Sequence, residues 1–388
     1  MTCRVLHVTS GLDLHSGGPA VALAGLAVAQ QHAGLDVRVV ASYREGREPS
    51  LAEQIRSKGV AVTCVGPCFG RFARHPALSE SVAADVEAAD IIHIHALFEE
   101  VQHLSATFAR RYGKPYLIRP CGMIDRWSLR RNWLVKRIYL AWRLSRMLEA
   151  AAAIHYTTGF ERRNAEHLHL QPRAIIEPNG VDLAEYQALP APGSFRKRFG
   201  IPAGAPLITF LGRLHPGKGV EPLVRALGSG HLKHAHLAIV GPDSGGQLET
   251  MQTLAARCGA AERVVFTGLL QGQDRIKALV DADVFALPSE HENFGIAVAE
   301  AMAAGAPVIV SPEVGIADDV TAAGAGAVVP LQQDLLAAEL ARWLGNAFLR
   351  ANAGAQGRAY AFERFGWHEI GQRWAGHYAA ILGRPSAA

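Results

Sequence analysis

Glu292 and Glu300 stand eight residues apart in Pro288–Val310, PSEHENFGIAVAEAMAAGAPVIV, on either side of an Asn293-Phe294-Gly295 turn that opens an Ala-rich helix. One apolar run, Val284–Leu287, precedes them and another, Pro307–Val310, follows, so the local order is strand, polar loop, helix, strand. Ligands of a parallel α/β sheet collect beyond the carboxyl ends of its strands, which places Glu292 at a cleft. Eight helical residues rise about 12 Å. That is too far for two carboxylates to share one substrate atom, and it suits the two ends of an extended ligand. Ionised carboxylates only accept hydrogen bonds, so the fitting ligand is rich in hydroxyls, such as a sugar joined to a ribose. Spacing alone also fits two surface groups compatible with a helix dipole.

Positive charge comes from Gly212-Arg213-Leu214-His215-Pro216-Gly217-Lys218-Gly219, which ends the apolar run Leu207–Leu211 and opens a helix. Arg offers a planar fork and Lys a point charge, and the pair can hold a diphosphate, although loop cations are commonly just solvated. Ser10–Pro19 carries Gly17-Gly18-Pro19 directly before the helical stretch Ala20–Ala33. Glycines let backbone approach a ligand and a helix start favours anions; a plain tight turn reads the same way. In Ile92-His93-Ile94-His95, alternation puts both histidines on one strand face, with His95 nearer the cleft. A satisfied core histidine has the same signature, and His95 is assigned neither as nucleophile nor as base.

No metal is expected. Asp281-Ala282-Asp283 has the look of a metal motif, but it precedes the strand Val284–Leu287, at its amino end and away from the cleft, and reads as structural. No other Asp/Glu/His group has ligand spacing. Cys64 and Cys68 lack a partner pair at zinc spacing, and an odd total of five cysteines suits a reducing compartment.

The elements that must position these groups follow a βαβ rhythm. Expected strands are Arg4–Thr9, Asp36–Ala41, Ala61–Val65, Ile91–His95, Pro115–Arg119, Ala153–Thr157 and Arg173–Glu177, then Leu207–Leu211, His236–Val240, Arg263–Thr267, Val284–Leu287, Val308–Val310 and Ala327–Val329. Strands alternating with helices indicate parallel sheets, and 388 residues indicate two domains. The turn cluster Glu177–Asp182 and the Pro/Gly-rich stretch Pro190–Gly204 mark the division, giving domains 1–187 and 188–365 and a terminal helix, 366–388. A formal net charge of +4 argues against a dedicated nucleic-acid protein. The opening segment is too short for a signal peptide, and no run is apolar enough to span a bilayer. Arg126–Leu148 is the most unusual stretch: Arg126, Arg130, Arg131, Lys136, Arg137, Arg143 and Arg146 interleave with Trp127, Trp133 and Trp142. Such a helix can lie on an anionic membrane surface; a core stripe backed by solvated arginines is the alternative.

With Phe294-Gly295 inside it and Glu300-Ala301-Met302-Ala303-Ala304-Gly305 completing it, the pair Glu292/Glu300 resembles the E-x7-E signature of the retaining glycosyltransferases of family 4. The resemblance covers nearly the whole chain, with the specific motifs concentrated in its second half. It implies the GT-B fold: α/β, two facing Rossmann-like domains with parallel sheets, and a C-terminal helix crossing back to the first. It implies further that Glu292 binds donor-sugar hydroxyls and Glu300 the ribose, and that Arg213 and Lys218 neutralise the leaving diphosphate without metal. The Gly17-Gly18 loop would touch the donor phosphate or the acceptor, His95 would lie near the transferred sugar, and backbone near Gly268 would meet the base. The nucleotide diphosphate sugar (UDP- or GDP-linked) is then a substrate, and no cofactor is expected. Arg119-Pro120-Cys121-Gly122-Met123 is similar to a Pro-Arg-Gly-Met segment of members that build bacterial surface polysaccharides, with Cys121 where Arg is expected. That likeness implies a glycan or lipid-linked glycan acceptor and a cytoplasmic protein at the inner membrane face, with Arg126, Arg130, Arg131, Lys136 and Arg137 as acceptor or membrane contacts. A nucleotide-sugar epimerase or phosphorylase, or a binding partner without turnover, would use the same scaffold.

Overall fold

The computed structural model describes residues 2–13, 17–130 and 143–384. The chain divides into two compact units, Met1–Gly180 with Trp367–Ala388, and Val181–Gly366. In the first unit β1 (Arg4–Ser10), β2 (Asp36–Arg44), β3 (Ala61–Cys68), β4 (Ile91–His95), β5 (Tyr116–Arg119), β6 (Ala153–Tyr156) and β7 (Arg173–Ile176) form one sheet. Its order is β3-β2-β1-β4-β5-β6-β7, with every neighbour parallel. A parallel sheet is covered on both faces, which is why all of β4 is buried and polar residues appear in it only where partners await them.

The second unit repeats the plan with β8 (Leu207–Leu211), β9 (His236–Val240), β10 (Val264–Gly268), β11 (Val284–Leu287), β12 (Val308–Val310) and β13 (Gly326–Val328). Its parallel order is β10-β9-β8-β11-β12-β13. Each sheet therefore reverses its strand order once, between β1 and β4 and between β8 and β11. The loops leaving those strands open a crevice at the carboxyl edge.

The division falls after Gly180 because Val181 packs in the second core and donates its N–H to Phe365 O at 2.7 Å. Pro190–Gly204 lies inside the second unit. There Asp281 accepts from Gly193 N at 2.5 Å and Arg196 N at 2.9 Å at the start of the helix Ser194–Arg198, while Asp283 pairs with Arg196 at 2.8 Å. Both carboxylates of Asp281-Ala282-Asp283 thus serve the scaffold. The helix Trp367–Ile381 belongs to the first unit and packs against the helix Gly18–His32, burying Ile370, Trp374 and Tyr378.

No helix among the described residues is long and apolar enough to cross a membrane. Arg126 is exposed at the start of the helix Arg126–Arg130, beside Trp127, which is 53% exposed. Arg131, Lys136 and Arg137 lie outside the described residues. All five cysteines are free thiols.

Candidate active site

The site of the second unit is assembled by loops at the carboxyl ends of β8, β11 and β12. Gly219 has φ +81, and a Cβ there would sit 1.9 Å from Pro288 O, so the β8 loop presses directly on the β11 loop. Only a residue without a side chain tolerates both conditions. Glu290 N donates to Gly217 O at 2.8 Å and Ser289 Oγ to Lys218 O at 3.4 Å. The β12 loop closes the other side: Glu292 N donates to Glu313 O at 3.0 Å, Gly315 N to Glu292 O at 2.8 Å, and Ile316 N to Phe294 O at 3.0 Å. A Cβ on Gly315 would meet Asn293 O at 2.0 Å.

This stitching brings Lys218 and Glu292 into a direct ion pair, each side chain about one-fifth exposed. Arg213, on the same loop as Lys218, is exposed. Phe294 is buried edge-on against Phe365, and Gly295, at φ 100, starts the helix Ile296–Ala303. Glu300 projects from the second turn of that helix, its Oε1 held at 3.0 Å by Arg275 Nη1. Burial pushes the Glu300 carboxyl up, Arg275 pulls it back and Glu185 pushes it up again. Arg275 also pairs with Glu185 at 2.5 Å. Glu300 is therefore held through one oxygen. Gly268, exposed at φ 68, ends β10.

In the first unit Gly17, at φ 72, precedes the helix that starts at Gly18 with Pro19 in its first turn, at the carboxyl side of β1. His95 ends β4, on the opposite side of the switch point, and is 3% exposed. Its ring stacks on His93 at 4.6 Å, as alternation requires for one face. Arg119, beside His95 in register on β5, is buried and hydrogen-bonds Asn179. Ala96 and Cys121, directly beyond β4 and β5, adopt left-handed backbone with φ 64 and φ 55. Strain in non-glycine residues at strand ends clusters where ligands are handled. Glu161, also buried, accepts from Gly122 N at 2.7 Å and Thr157 N at 2.7 Å, tying the Cys121 loop to the end of β6.

Arg275 and Glu161 escaped the sequence reading, and Arg119 entered it only as a strand end and the first residue of the Arg119–Met123 segment, with no partner assigned. Arg275 sits mid-helix in an ordinary amphipathic pattern, with no cue linking it to Glu300. Arg119 carried a usable cue, a charge closing an otherwise apolar strand.

The model for glycosyl transferases group 1 matches residues 193–360, and that for a glycosyl transferase 4-like domain matches residues 17–180. The 2-deoxystreptamine glucosyltransferase of Streptomyces kanamyceticus is 34% identical over 336 residues, 76% of this chain and 79% of that protein. The D-inositol 3-phosphate glycosyltransferase of Xylanimonas cellulosilytica is 34% identical over 229 residues, 55% of this chain and 53% of that one. For most of the first curated relatives the match spans about half of their length. Among solved structures, Anabaena HepE in complex with UDP superposes with a TM-score of 0.78 at 17% identity, covering 97% of this chain and 100% of that one. WaaG, a glycosyltransferase involved in lipopolysaccharide biosynthesis, gives 0.71 at 19% identity, covering 98% and 100%. At such identities the likeness is one of fold.

Proposed function

Because the chain belongs to the group 1 glycosyltransferases of the family 4 type, built on the GT-B fold, we propose that it moves a hexose from a nucleotide diphosphate sugar to an acceptor hydroxyl with retention and without metal. The observation that carries this reading is the Lys218–Glu292 ion pair between the loops after β8 and β11, with Glu300 held by Arg275 on the helix that follows the second loop.

Cleavage of the bond from the anomeric carbon to the diphosphate leaves negative charge on phosphate oxygens, and Arg213 and Lys218 are the groups that offset it. Glu292 releases Lys218 to the diphosphate and accepts from sugar hydroxyls. Glu300 accepts from the ribose, backbone near Gly268 faces the base, and Asn293, Phe294 and Gly295 shape the turn over the donor. The acceptor oxygen bonds to the anomeric carbon on the face the diphosphate leaves, and its proton passes to a phosphate oxygen. Gly17, Gly18 and His95 are assigned to the sugar and acceptor side. The donor is a UDP- or GDP-hexose. The acceptor is a lipid-linked glycan of polysaccharide synthesis, approached from an anionic membrane surface through the basic segment that begins at Arg126.

Water as acceptor tests the chemistry without knowledge of the natural acceptor. UDP- or GDP-hexose incubated with the protein and EDTA is expected to release sugar whose first-formed anomer, read by proton NMR, keeps the donor's configuration. Release of the opposite anomer overturns retention, and loss of turnover with EDTA overturns metal independence.

A further inference from the structure

Beneath the terminal helix, the first unit buries His7 on β1, His93 and His95 on β4 and His155 on β6. Nitrogens of His7, His93 and His95 lie within 4.8 Å of one another. Their hydrogen-bond partners join them into one connected series. His7 Nδ1 contacts His95 Nε2 at 2.8 Å, and His7 Nε2 contacts Gln30 Oε1 at 2.8 Å. Gln30 Nε2 donates to Tyr378 Oη at 3.0 Å, Tyr378 Oη contacts His93 Nδ1 at 2.7 Å, and His93 Nε2 contacts His155 Nδ1 at 3.1 Å. His155 Nε2 ends the series at Glu177 O, 2.9 Å away. Two ring nitrogens 2.8 Å apart share a proton between them, and both nitrogens of His7 and of His93 are already engaged.

The carbonyl at one end sets the direction of every bond. A carbonyl only accepts, so His155 carries its proton on Nε2 and offers a bare Nδ1. A neutral imidazole has one donor and one acceptor, so His93 must donate from Nε2 and accept at Nδ1 from the Tyr378 hydroxyl. Tyr378 then accepts from the Gln30 amide, whose oxygen accepts from His7 Nε2–H. His7 Nδ1 in turn accepts from His95 Nε2–H. Burial foremost, then neighbouring rings and Arg119, lower the pKa of His93 and His95 and keep the rings neutral. The chain ends at His95 Nδ1, a buried nitrogen with no hydrogen-bond partner, at the end of β4 beside the switch point.

We propose that Tyr378 and Gln30 are positioning residues: through this directed chain they hold His95 as its Nε2–H tautomer, so that Nδ1 presents a lone pair to a sugar hydroxyl. The role of His95 rests on the function proposed above. The hydrogen-bond chain rests on the geometry alone. A tyrosine 285 residues downstream of His93 thus sets the hydrogen-bonding sense of a residue at the crevice.

The test is nitrogen-15 NMR of histidine-labelled full-length protein at neutral pH, with donor hydrolysis measured in parallel. In the natural protein His7, His93, His95 and His155 are all expected as neutral Nε2–H tautomers. Tyr378→Phe removes the hydroxyl and frees the Gln30 amide to turn. His93 and His155, still anchored to the carbonyl, keep their tautomer, whereas His7 and His95 become mixtures. Loss of one directed hydrogen bond is expected to lower kcat about tenfold, with the Kd for free nucleotide unchanged. Gln30→Met cuts the chain at the same place and serves if the first variant folds poorly. An Nδ1–H or doubly protonated ring among the four in the natural protein overturns the chain. An unchanged His95 tautomer in either variant overturns its control by Tyr378 and Gln30. Mixed tautomers with undiminished kcat overturn the positioning role. Absence of donor turnover in the natural protein is a failure of the proposed function, and the spectra still decide the chain.

Discussion

Replacing Glu292 with alanine is expected to lower transfer or donor hydrolysis by about 10² to 10³ fold, the usual loss when a fixed electrostatic contact to the reacting group is removed. Affinity for free nucleoside diphosphate should stay the same or rise, because Lys218 is ion-paired to Glu292 and is released to the diphosphate once the carboxylate is gone. Glu300→Ala should behave in the opposite way. It removes the acceptor assigned to the ribose while Arg275 keeps Glu185 as a partner, so the fold is retained and nucleotide affinity falls about 10- to 100-fold, the worth of a charge-assisted hydrogen bond. Calorimetric titration of both variants with the nucleotide, beside turnover, checks this. An equal loss of nucleotide affinity in both would sink the division of labour.

Acid should unfold the first unit at a pH where an ordinary domain is still stable. His7 is held down to about 4, chiefly by burial, and His93, His95 and His155 also lie well below 6.5. For a group with a depressed folded pKa, the unfolded chain binds protons that the folded core refuses. Stability is therefore complete above 6.5 and is lost as pH falls toward the folded values. At pH 5 His7 alone costs about 2 kcal/mol, and His93, His95 and His155, lowered by the same burial, add to that cost in the same direction. Amide hydrogen exchange at pH 7.5 and pH 5 reads each unit separately, once corrected for intrinsic rates. Protection should collapse in the strands β1, β4 and β6 while β8, β11 and β12 hold. Retained protection of β4 at pH 5 would mean that the histidines are not buried neutral.

These two expectations were unequally legible in the sequence. Glu292 and Glu300 stood out because loop, turn and helix lie within one contiguous stretch, and the strand before them fixes which end faces the crevice. The shared face of His93 and His95 follows from a period of two alone. Their partners do not: Gln30 and Tyr378 reach them only because the terminal helix packs on the helix Gly18–His32. The Arg275 contact to Glu300 likewise depends on how two helices of the second unit are set side by side. Local periodicity predicts elements well and says nothing about such pairings. The division after Gly180 depends on the same kind of long-range contact, the Val181 bridge to Gly366.

The central claim, a nucleotide site on the carboxyl edge of the second unit's sheet, is tested most directly by thermal unfolding against UDP, GDP, ADP and CMP without metal, with Glu300→Ala as control. Saturation at a hundred times Kd adds about 2.7 kcal/mol, which for a unit of this size raises the midpoint by roughly 5–10 °C. The account predicts such a shift with UDP or GDP, cut to about half or less in Glu300→Ala at the same nucleotide concentration. No shift with any of the four nucleotides, or an equal shift in the variant, would contradict it.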